Sequence, residues 1–143
     1  MKKNATRVWV ECFYYPTEDK DKVKKALATV AGDADTKETD YESYYGPTFT
    51  LIQVDTGNQA DIRKVLENII LTLKQEDLKE VQETLEERVD DDGVLHLRFE
   101  KQDAYEGILT PGVTGDAIKV RIKLAAYPAT RENLIASAKE LLS

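Results

Sequence analysis

The sequence predicts an α+β fold, with a mostly antiparallel sheet and helices packed on one of its faces. Four runs, 6–15, 49–55, Val94–Glu100 and 117–128, alternate apolar and polar side chains with period two, as half-buried strands do. Between these runs, apolar residues recur at helical spacing. The strands are joined in pairs by short loops and the helices are gathered between the pairs, an order typical of antiparallel α+β layers.

Length and charge limit the classes of function. The 143 residues suffice for one ordinary domain, which we expect to span 1–143. Because 27 acidic residues outnumber 20 Lys and Arg and the net charge is −7, a nucleic-acid site has to be a local basic patch. Cys12, the single cysteine, cannot form an intramolecular disulfide and is expected as a small buried residue. Since no run approaches the roughly 18 apolar residues of a membrane span, we expect a cytoplasmic protein with no membrane partner.

The amino-terminal half is predicted to form a strand, a helix and a hairpin. The strand 6–15 is apolar enough on both faces to be partly covered on each. Thr17 is the expected cap of a helix that ends at Gly32. A short strand is then expected to pair with the strand 49–55 as a hairpin around Gly46-Pro47.

Two helices are predicted next, and the second is strongly acidic. The first is capped by Asn58 and has an unbroken apolar face up to Leu73. A phase slip at 74–77 predicts a kink or a break before a second helix at 76–88. Residues 61–92 contain 5 Lys and Arg against 11 Asp and Glu, which gives −6 and accounts for almost all of the excess negative charge.

The last third is predicted to contribute two main strands to the sheet, and the second of them has a basic face. The predicted order is the strand Val94–Glu100, a helical turn at 101–107, a few extended residues at 108–110, a loop at 111–115, the strand 117–128 and a helix that starts at Thr130. In the strand 117–128, one face is apolar while the other carries Lys119, Arg121 and Lys123. A wholly cationic strand face runs against the acidic composition.

These two strands predict a basic patch. If they pair antiparallel, five potential cations share one sheet face. They are His96, Arg98, Lys119, Arg121 and Lys123. Because phosphate contacts dominate nucleic-acid affinity, this face is a candidate RNA-binding surface. The tyrosines expected to stack on unpaired bases are Tyr127, Tyr105 and the cluster of Tyr41, Tyr44 and Tyr45.

An alternative interpretation of the same face stays open. A sheet with one buried face ordinarily carries charges on the other, and cross-strand pairing with Glu11, Glu100 or Asp116 would neutralise the patch. The tyrosines would then be strand packing.

The sequence predicts no enzyme, no cofactor and no metal site. His96 is the only histidine, and no nucleophile accompanies it in a catalytic pattern. The acids at 90–92 could hold Mg²⁺ weakly, as in a metal-dependent nuclease, but a solvated turn after a helix is the favoured interpretation. The glycine-rich phosphate loops GxGxxG and GxxxxGK[ST] do not occur.

Two stretches resemble the signature of an archaeal family of small RNA-binding proteins. They are ERVDDDGVLHLRFEKQDAYEG at 87–107 and DAIKVRIKLAAYPATREN at 116–133. In that family an acidic turn precedes a Leu-Arg-Phe strand that leads into an acidic residue, Lys and Gln, as at 97–102 here. A basic alternating strand ends in Ala-Tyr-Pro, as at 126–128. The tyrosine-rich segment 41–45 and the strong acidity depart from the family pattern.

The resemblance implies a fold, a ligand and partners. This family, once a domain of unknown function, is known as predicted exosome subunits. The implied fold is similar to that of the large-subunit ribosomal protein that binds 5S ribosomal RNA. The implied ligand is RNA, and the implied protein partners belong to the exosome or to the ribosome.

The sequence therefore predicts a non-enzymatic RNA-binding protein. The residues expected to contact phosphates are Arg98, Lys101, Lys119, Arg121 and Lys123, with Tyr127 as a stacking residue. The alternative is a protein-interaction module, in which the acidic helix 76–88 docks a basic partner or the chain forms a homodimer through its sheet.

Overall fold

A five-stranded antiparallel sheet lies at the centre of the structure, as the sequence predicts. The computed structural model describes residues 4–44, 46, 48–112 and 116–143. The strands are β1 (Ala5–Tyr14), β2 (Lys37–Tyr41), β3 (Phe49–Thr56), β4 (Val94–Glu100) and β5 (Ala117–Leu124), in the spatial order β2-β3-β1-β5-β4. The helices are α1 (Lys20–Ala31), α2 (Gln59–Thr72), α3 (Gln75–Glu83), α4 (Leu85–Arg88), α5 (Lys101–Tyr105) and α6 (Arg131–Leu141). Among the described residues, no helix is long and apolar enough to cross a membrane.

The inner face of the sheet carries the hydrophobic core, and the helices pack on that side. Alternate strand residues such as Val10, Ile52 and Val120 are fully buried there. Each such side chain stabilises the fold by roughly 1.5–3 kcal/mol relative to an exposed one. A register slip of one residue in β5 would bury its lysines and arginine, so the apolar face fixes the register and leaves the opposite face polar.

The helix starts follow from their capping residues. Asp19, and not the predicted Thr17, caps α1, because its carboxylate accepts hydrogen bonds from the first-turn backbone N–H groups of Asp21 and Lys22. The predicted cap Asn58 of α2 is confirmed, and Thr130, the predicted start of the last helix, caps α6.

The predicted break after α2 is confirmed, and a second break follows. The backbone is extended at Leu73, between α2 and α3. The expected continuous helix 76–88 is wrong, since it is divided into α3 and α4 at Thr84. The Thr84 hydroxyl donates a hydrogen bond to the backbone carbonyl of Glu80 at 2.8 Å, a local side-chain bond that competes with regular helix. Val81 and Leu85 on either side of the break are both buried.

Most predicted elements of the last third are found, with two differences. β5 ends at Leu124 rather than at 128, because the chain then turns towards α6 and the carbonyl of Ala125 accepts a bond from the Ser137 hydroxyl. Residues 108–110 form no strand and contribute a single bridge between Leu109 and Leu73. The hairpin of β2 and β3 is confirmed. Pro47 of its predicted turn and residues 113–115 of the predicted loop lie outside the described residues.

Candidate nucleic-acid interface

The outer face of the sheet brings the expected cations together in a grid. β4 and β5 pair antiparallel as predicted, and β5 also pairs with β1. Residues directly opposite each other on one face form rows across these three strands. The rows are Arg7, Lys123 and Val94; Trp9, Arg121 and His96; and Glu11, Lys119 and Arg98. These side chains are half-buried or exposed, in contrast to the buried inner face.

Like charges oppose each other twice in this grid. Arg98 lies opposite Lys119, and Lys123 lies opposite Arg7. Cross-strand pairs of like charge destabilise a sheet by a few tenths of a kcal/mol up to about 1 kcal/mol each. The sequence produces this arrangement because period-two alternation places Lys119, Arg121 and Lys123 on the same face of β5 once the apolar residues point inward.

Two of the outer-face cations are matched by acids on neighbouring strands. The Nε atom of Arg7 lies 2.6 Å from Oδ1 of Asp55, and this hydrogen bond lowers the pKa of Asp55 and raises that of Arg7. Nη2 of Arg121 lies 3.3 Å from Oε1 of Glu11. Both pairs are partly open to water, where an ion pair contributes at most about 1 kcal/mol, so they reduce the positive charge of the face at small gain in stability.

Lys119 and Lys123 have no such acidic partner in the described part of the chain. Glu11, one of the acids that the alternative interpretation pairs with this face, pairs with Arg121 and accepts a hydrogen bond from the side-chain amide of Gln53 at 3.0 Å. The ammonium of Lys123 donates to the backbone carbonyl of Asp92, which is uncharged. The positive charges of both lysines therefore stay uncompensated by a direct ion pair.

The acidic turn borders the grid beside His96. Asp90 Oδ2 lies 2.7 Å from Nε2 of His96, and the other carboxylate oxygen accepts from the backbone N–H groups of Asp92 and Val94. The bond with His96, followed by the two backbone bonds, lowers the pKa of Asp90. Within the described residues, no group of three or more His, Cys, Asp or Glu is arranged to hold a metal ion. Asp90 thus organises the turn and the start of β4.

Trp9 lies in the middle of the grid, and its role was not foreseen from the sequence. The guanidinium carbons of Arg121 and Arg7 lie 4.9 Å and 5.7 Å from its ring centroid, distances at which cation–π attraction holds a guanidinium near a ring. The side chain is half-buried. The available signal was its alternation in β1, which places Trp9 on the face opposite to Val8 and Val10.

Lys101 does not lie on the outer face with the other expected cations. Its side chain is 6% exposed, and its ammonium lies 2.8 Å from Glu18, 2.9 Å from Asp116 and 3.0 Å from the backbone carbonyl of Phe13. Burial lowers the pKa of Lys101, but bonding and attraction to both carboxylates outweigh it, so the pKa is raised. Because α5 begins at Lys101, its side chain leaves the alternation of β4. We call Lys101, Glu18 and Asp116 the Lys101 cluster.

The expected stacking tyrosines are found in three different settings. Tyr127 is 98% exposed on the turn after β5. Tyr105 lies on α5, where the ammonium groups of Lys22 and Lys25 approach its ring centroid at 5.2 and 5.0 Å, so it packs between side chains of α1. Tyr41 lies on β2 and Tyr44 is exposed after it, while Tyr45 lies outside the described residues.

Aromatic side chains gather next to the grid, across β1, β3 and β2. Tyr41 stacks on Phe49 with 5.6 Å between ring centroids and 18° between ring planes. Phe13 meets Phe49 edge-on at 5.4 Å, and Tyr15 lies 6.0 Å from Phe49. We call these four residues the aromatic cluster. Side-chain alternation along 6–15 puts Phe13 and Tyr15 on the same face as Trp9, but the pairing of three strands was needed to bring them to Phe49 and Tyr41.

The acidic helices lie away from the grid. α3 and α4 contribute Val81 and Leu85 to the core on the inner side of the sheet, and Gln82 bonds the backbone carbonyl of Leu142 at 2.7 Å. The acidic helices α3 and α4 are therefore on the helix-covered side of the sheet, whereas Asp90 lies beside His96 at the border of the grid.

Comparison with known proteins gives a consistent assignment. A family model described as RNA binding matches residues 7–124. The chain belongs to this RNA-binding family. The chain is also 33% identical over 147 residues to RNA-binding protein PAB1135 from Pyrococcus abyssi, covering 99% of this chain and 96% of that protein. The resemblance to an archaeal RNA-binding family is thereby confirmed.

Solved structures of two family relatives share the fold. The crystal structure of protein AF2318 from A. fulgidus is 32% identical, with a TM-score of 0.85 over 96% of this chain and 99% of that chain. Mth689 from Methanothermobacter thermautotrophicus, described as a DUF54 protein, is 30% identical with a TM-score of 0.81 over 99% of this chain and 100% of that chain. The architecture described above is thus common to this chain and these relatives.

Proposed function

We propose that the protein binds RNA through the outer face of its sheet and catalyses no reaction on it. Lys119, Arg121, Lys123 and Arg98 contact phosphates in this proposal, and Trp9 offers a ring to an unpaired base. Tyr127, exposed beyond the end of β5, adds a second stacking contact. Lys101 is left out because its ammonium is buried and bonded on three sides.

The opposed like charges carry the proposal. A solvated face with no ligand would gain stability from alternating charges, yet Arg98 faces Lys119 and Arg7 faces Lys123. A bound polyanion would offset the repulsion between these opposed cations, since each phosphate placed between two cations is attracted by both. The name of PAB1135, an RNA-binding protein, supports RNA as that polyanion.

The resemblance to predicted exosome subunits extends the proposal to RNA processing. We propose that the whole chain acts as one cytoplasmic domain that presents RNA to exosome or ribosome-related proteins. The likeness to the 5S-rRNA-binding ribosomal fold is part of this proposal and rests on the motifs at 87–107 and 116–133.

The direct test is charge reversal on β5. The double variant Lys119→Glu and Arg121→Glu should bind a short single-stranded RNA at low salt at least roughly tenfold more weakly, measured by fluorescence anisotropy. The slope of log affinity against log salt should fall by roughly 1.4, because each lost phosphate contact on a single strand removes about 0.7. In the unchanged protein, RNA should also quench Trp9, the only tryptophan.

A matched control separates the face from bulk charge. Lys79→Glu with Lys139→Glu makes the same change in net charge on exposed positions of α3 and α6. This control should leave the affinity within about twofold of the original when it and the β5 variant are compared at the same salt concentration of about 0.1 M, where the Debye length is about 10 Å. Equal weakening by both double variants, or unchanged binding by the β5 variant, would refute the outer face as the RNA interface.

A further inference from the structure

A depression of about 260 Å³ opens on the outer face where the grid meets the aromatic cluster. Its lining combines aromatic walls, a small floor and two charged groups. The lining residues are Glu11, Cys12, Phe13, Tyr41, Phe49, Leu51, Ala117 and Lys119. Pockets for drug-sized ligands measure roughly 300–1,000 Å³, so this one suits a single flat ring system.

The walls of the depression suit a nucleobase. Tyr41 is 44% exposed although its ring stacks on Phe49, so part of this aromatic side chain stays accessible to a ligand. Phe13, edge-on to Phe49, lines the same depression. Every base has a π-face, and aromatic platforms of this kind hold unpaired bases in single-stranded nucleic acid.

The charged lining fits the two ends of a nucleotide. Lys119 belongs both to this depression and to the grid, and within the described residues it makes no ion pair, so its ammonium is available to the phosphate next to the base. Glu11 is held by Gln53 and Arg121, yet a carboxylate has about four acceptor sites and can accept a further bond from an exocyclic amino group. The depression is continuous with the proposed RNA path.

We propose that this depression is a base-binding pocket, in which one unpaired RNA base bearing an amino group stacks on Tyr41 while Lys119 contacts its phosphate. The inference rests on the proposed function and deepens it, since it makes the protein a reader of single-stranded RNA. A regular duplex keeps its bases stacked and cannot fill the pocket, so duplex RNA contacts only the cations of the grid.

The test compares oligocytidine with a blunt duplex of the same length. Tyr41→Ala should lower the affinity for oligocytidine roughly 5- to 100-fold, the range found when a base-stacking aromatic is replaced by alanine, and should leave duplex affinity and the salt slope unchanged. Tyr41→Phe keeps the ring and should bind as the original does. Leu71→Ala, at an apolar side chain of α2 that is 82% exposed, is the control and should have no effect. Because all five residues of the edge strand β2 are exposed, Tyr41→Ala should fold, which urea unfolding checks.

Each contrary outcome has a separate meaning. If the original protein binds oligocytidine and Tyr41→Ala binds it equally well, the pocket is refuted while the proposed function stands. Equal weakening of oligocytidine and duplex would also refute it. If the original protein binds neither RNA, the proposed function fails and the pocket falls with it. Sedimentation without RNA tests whether the chain dimerises through the aromatic cluster. If the original protein is a dimer and Tyr41→Ala is a monomer, the aromatic cluster is a contact between two copies of the chain and the proposal is overturned.

Discussion

Lys101 at the start of α5 and Lys119 in β5 are both lysines, but their surroundings are opposite. The ammonium of Lys101 is enclosed by Glu18, Asp116 and a backbone carbonyl and is almost inaccessible to water. Lys119 lies on the outer face opposite a second cation, Arg98. A lysine whose ammonium is enclosed by acidic and carbonyl partners stabilises the fold. A lysine that lies opposite another cation is better suited to bind an anionic ligand.

The Lys101 cluster also joins parts of the chain that are far apart in sequence. Glu18 precedes α1 and Asp116 precedes β5, and both reach the start of α5. Removing one member of such a cluster leaves charges that are only partly solvated. Lys119 on the outer face, in contrast, makes no ion pair within the described residues, so removing its charge leaves no buried partner unpaired.

The largest effect should come from Lys101→Met, which keeps the length of the side chain and removes its charge. It should lower the free energy of unfolding by about 1–3 kcal/mol, less than for a fully buried pair because the Asp116 side chain is 51% exposed. Urea unfolding measures this loss. RNA affinity at a temperature where the variant is folded should be unchanged. If the variant were as stable as the original protein but bound RNA more weakly, Lys101 would be an RNA-contacting residue and not a stabilising one.

A smaller and opposite effect is expected for Lys119→Gln. Since Lys119 faces Arg98, removing its charge should leave the free energy of unfolding within about 0.5 kcal/mol or raise it slightly. RNA affinity at low salt should fall by roughly fivefold, the share of one phosphate contact on a single strand. Urea unfolding and fluorescence anisotropy on the same preparation measure the stability and the RNA affinity of the variant. If the variant lost stability but kept its RNA affinity, Lys119 would have a stabilising role like that of Lys101 and no role in RNA binding.

The smallest effect is the acid sensitivity of the outer-face ion pairs. Bonding to Arg7 lowers the folded-state pKa of Asp55, and bonding to His96 lowers that of Asp90. Their stabilisation is therefore complete above the unfolded pKa of about 3.9 and is lost as pH falls through the lower folded values. In Asp90→Asn, the fall in the free energy of unfolding between neutral pH and strong acid should be smaller by less than about 1 kcal/mol. Urea unfolding at each pH measures this fall. An unchanged acid dependence in the variant would show that the pair contributes nothing.

Local patterns in the sequence were sufficient for most of the secondary structure. The strand Val94–Glu100, the cap Asn58 and the start of the last helix at Thr130 were predicted correctly because each depends on neighbours within a few residues. The cap of α1 was misplaced by two residues, since Thr17 and Asp19 are both good caps and only the packing of the helix selects one. The helix 76–88 was predicted as continuous because the break at Thr84 leaves only a weak signal in the periodicity.

The candidate site was predictable only in part. Alternation in β5 gave Lys119, Arg121 and Lys123, and a correct assumption of antiparallel pairing added Arg98 and His96. The aromatic cluster was not predicted, because Phe13, Phe49 and Tyr41 come from three strands whose register is a long-range property. Lys101 was assigned to the wrong surroundings for the same reason.

The sequence by itself determined which side of each strand is apolar, and hence that β5 would present three cations away from the core. Side-chain alternation is fixed by backbone geometry and needs no partner. Only the tertiary structure decided which of these charges are matched and which are opposed. That outcome depends on the strand order β2-β3-β1-β5-β4, which puts Glu11 beside Arg121, Arg98 beside Lys119, and Glu18 and Asp116 around Lys101.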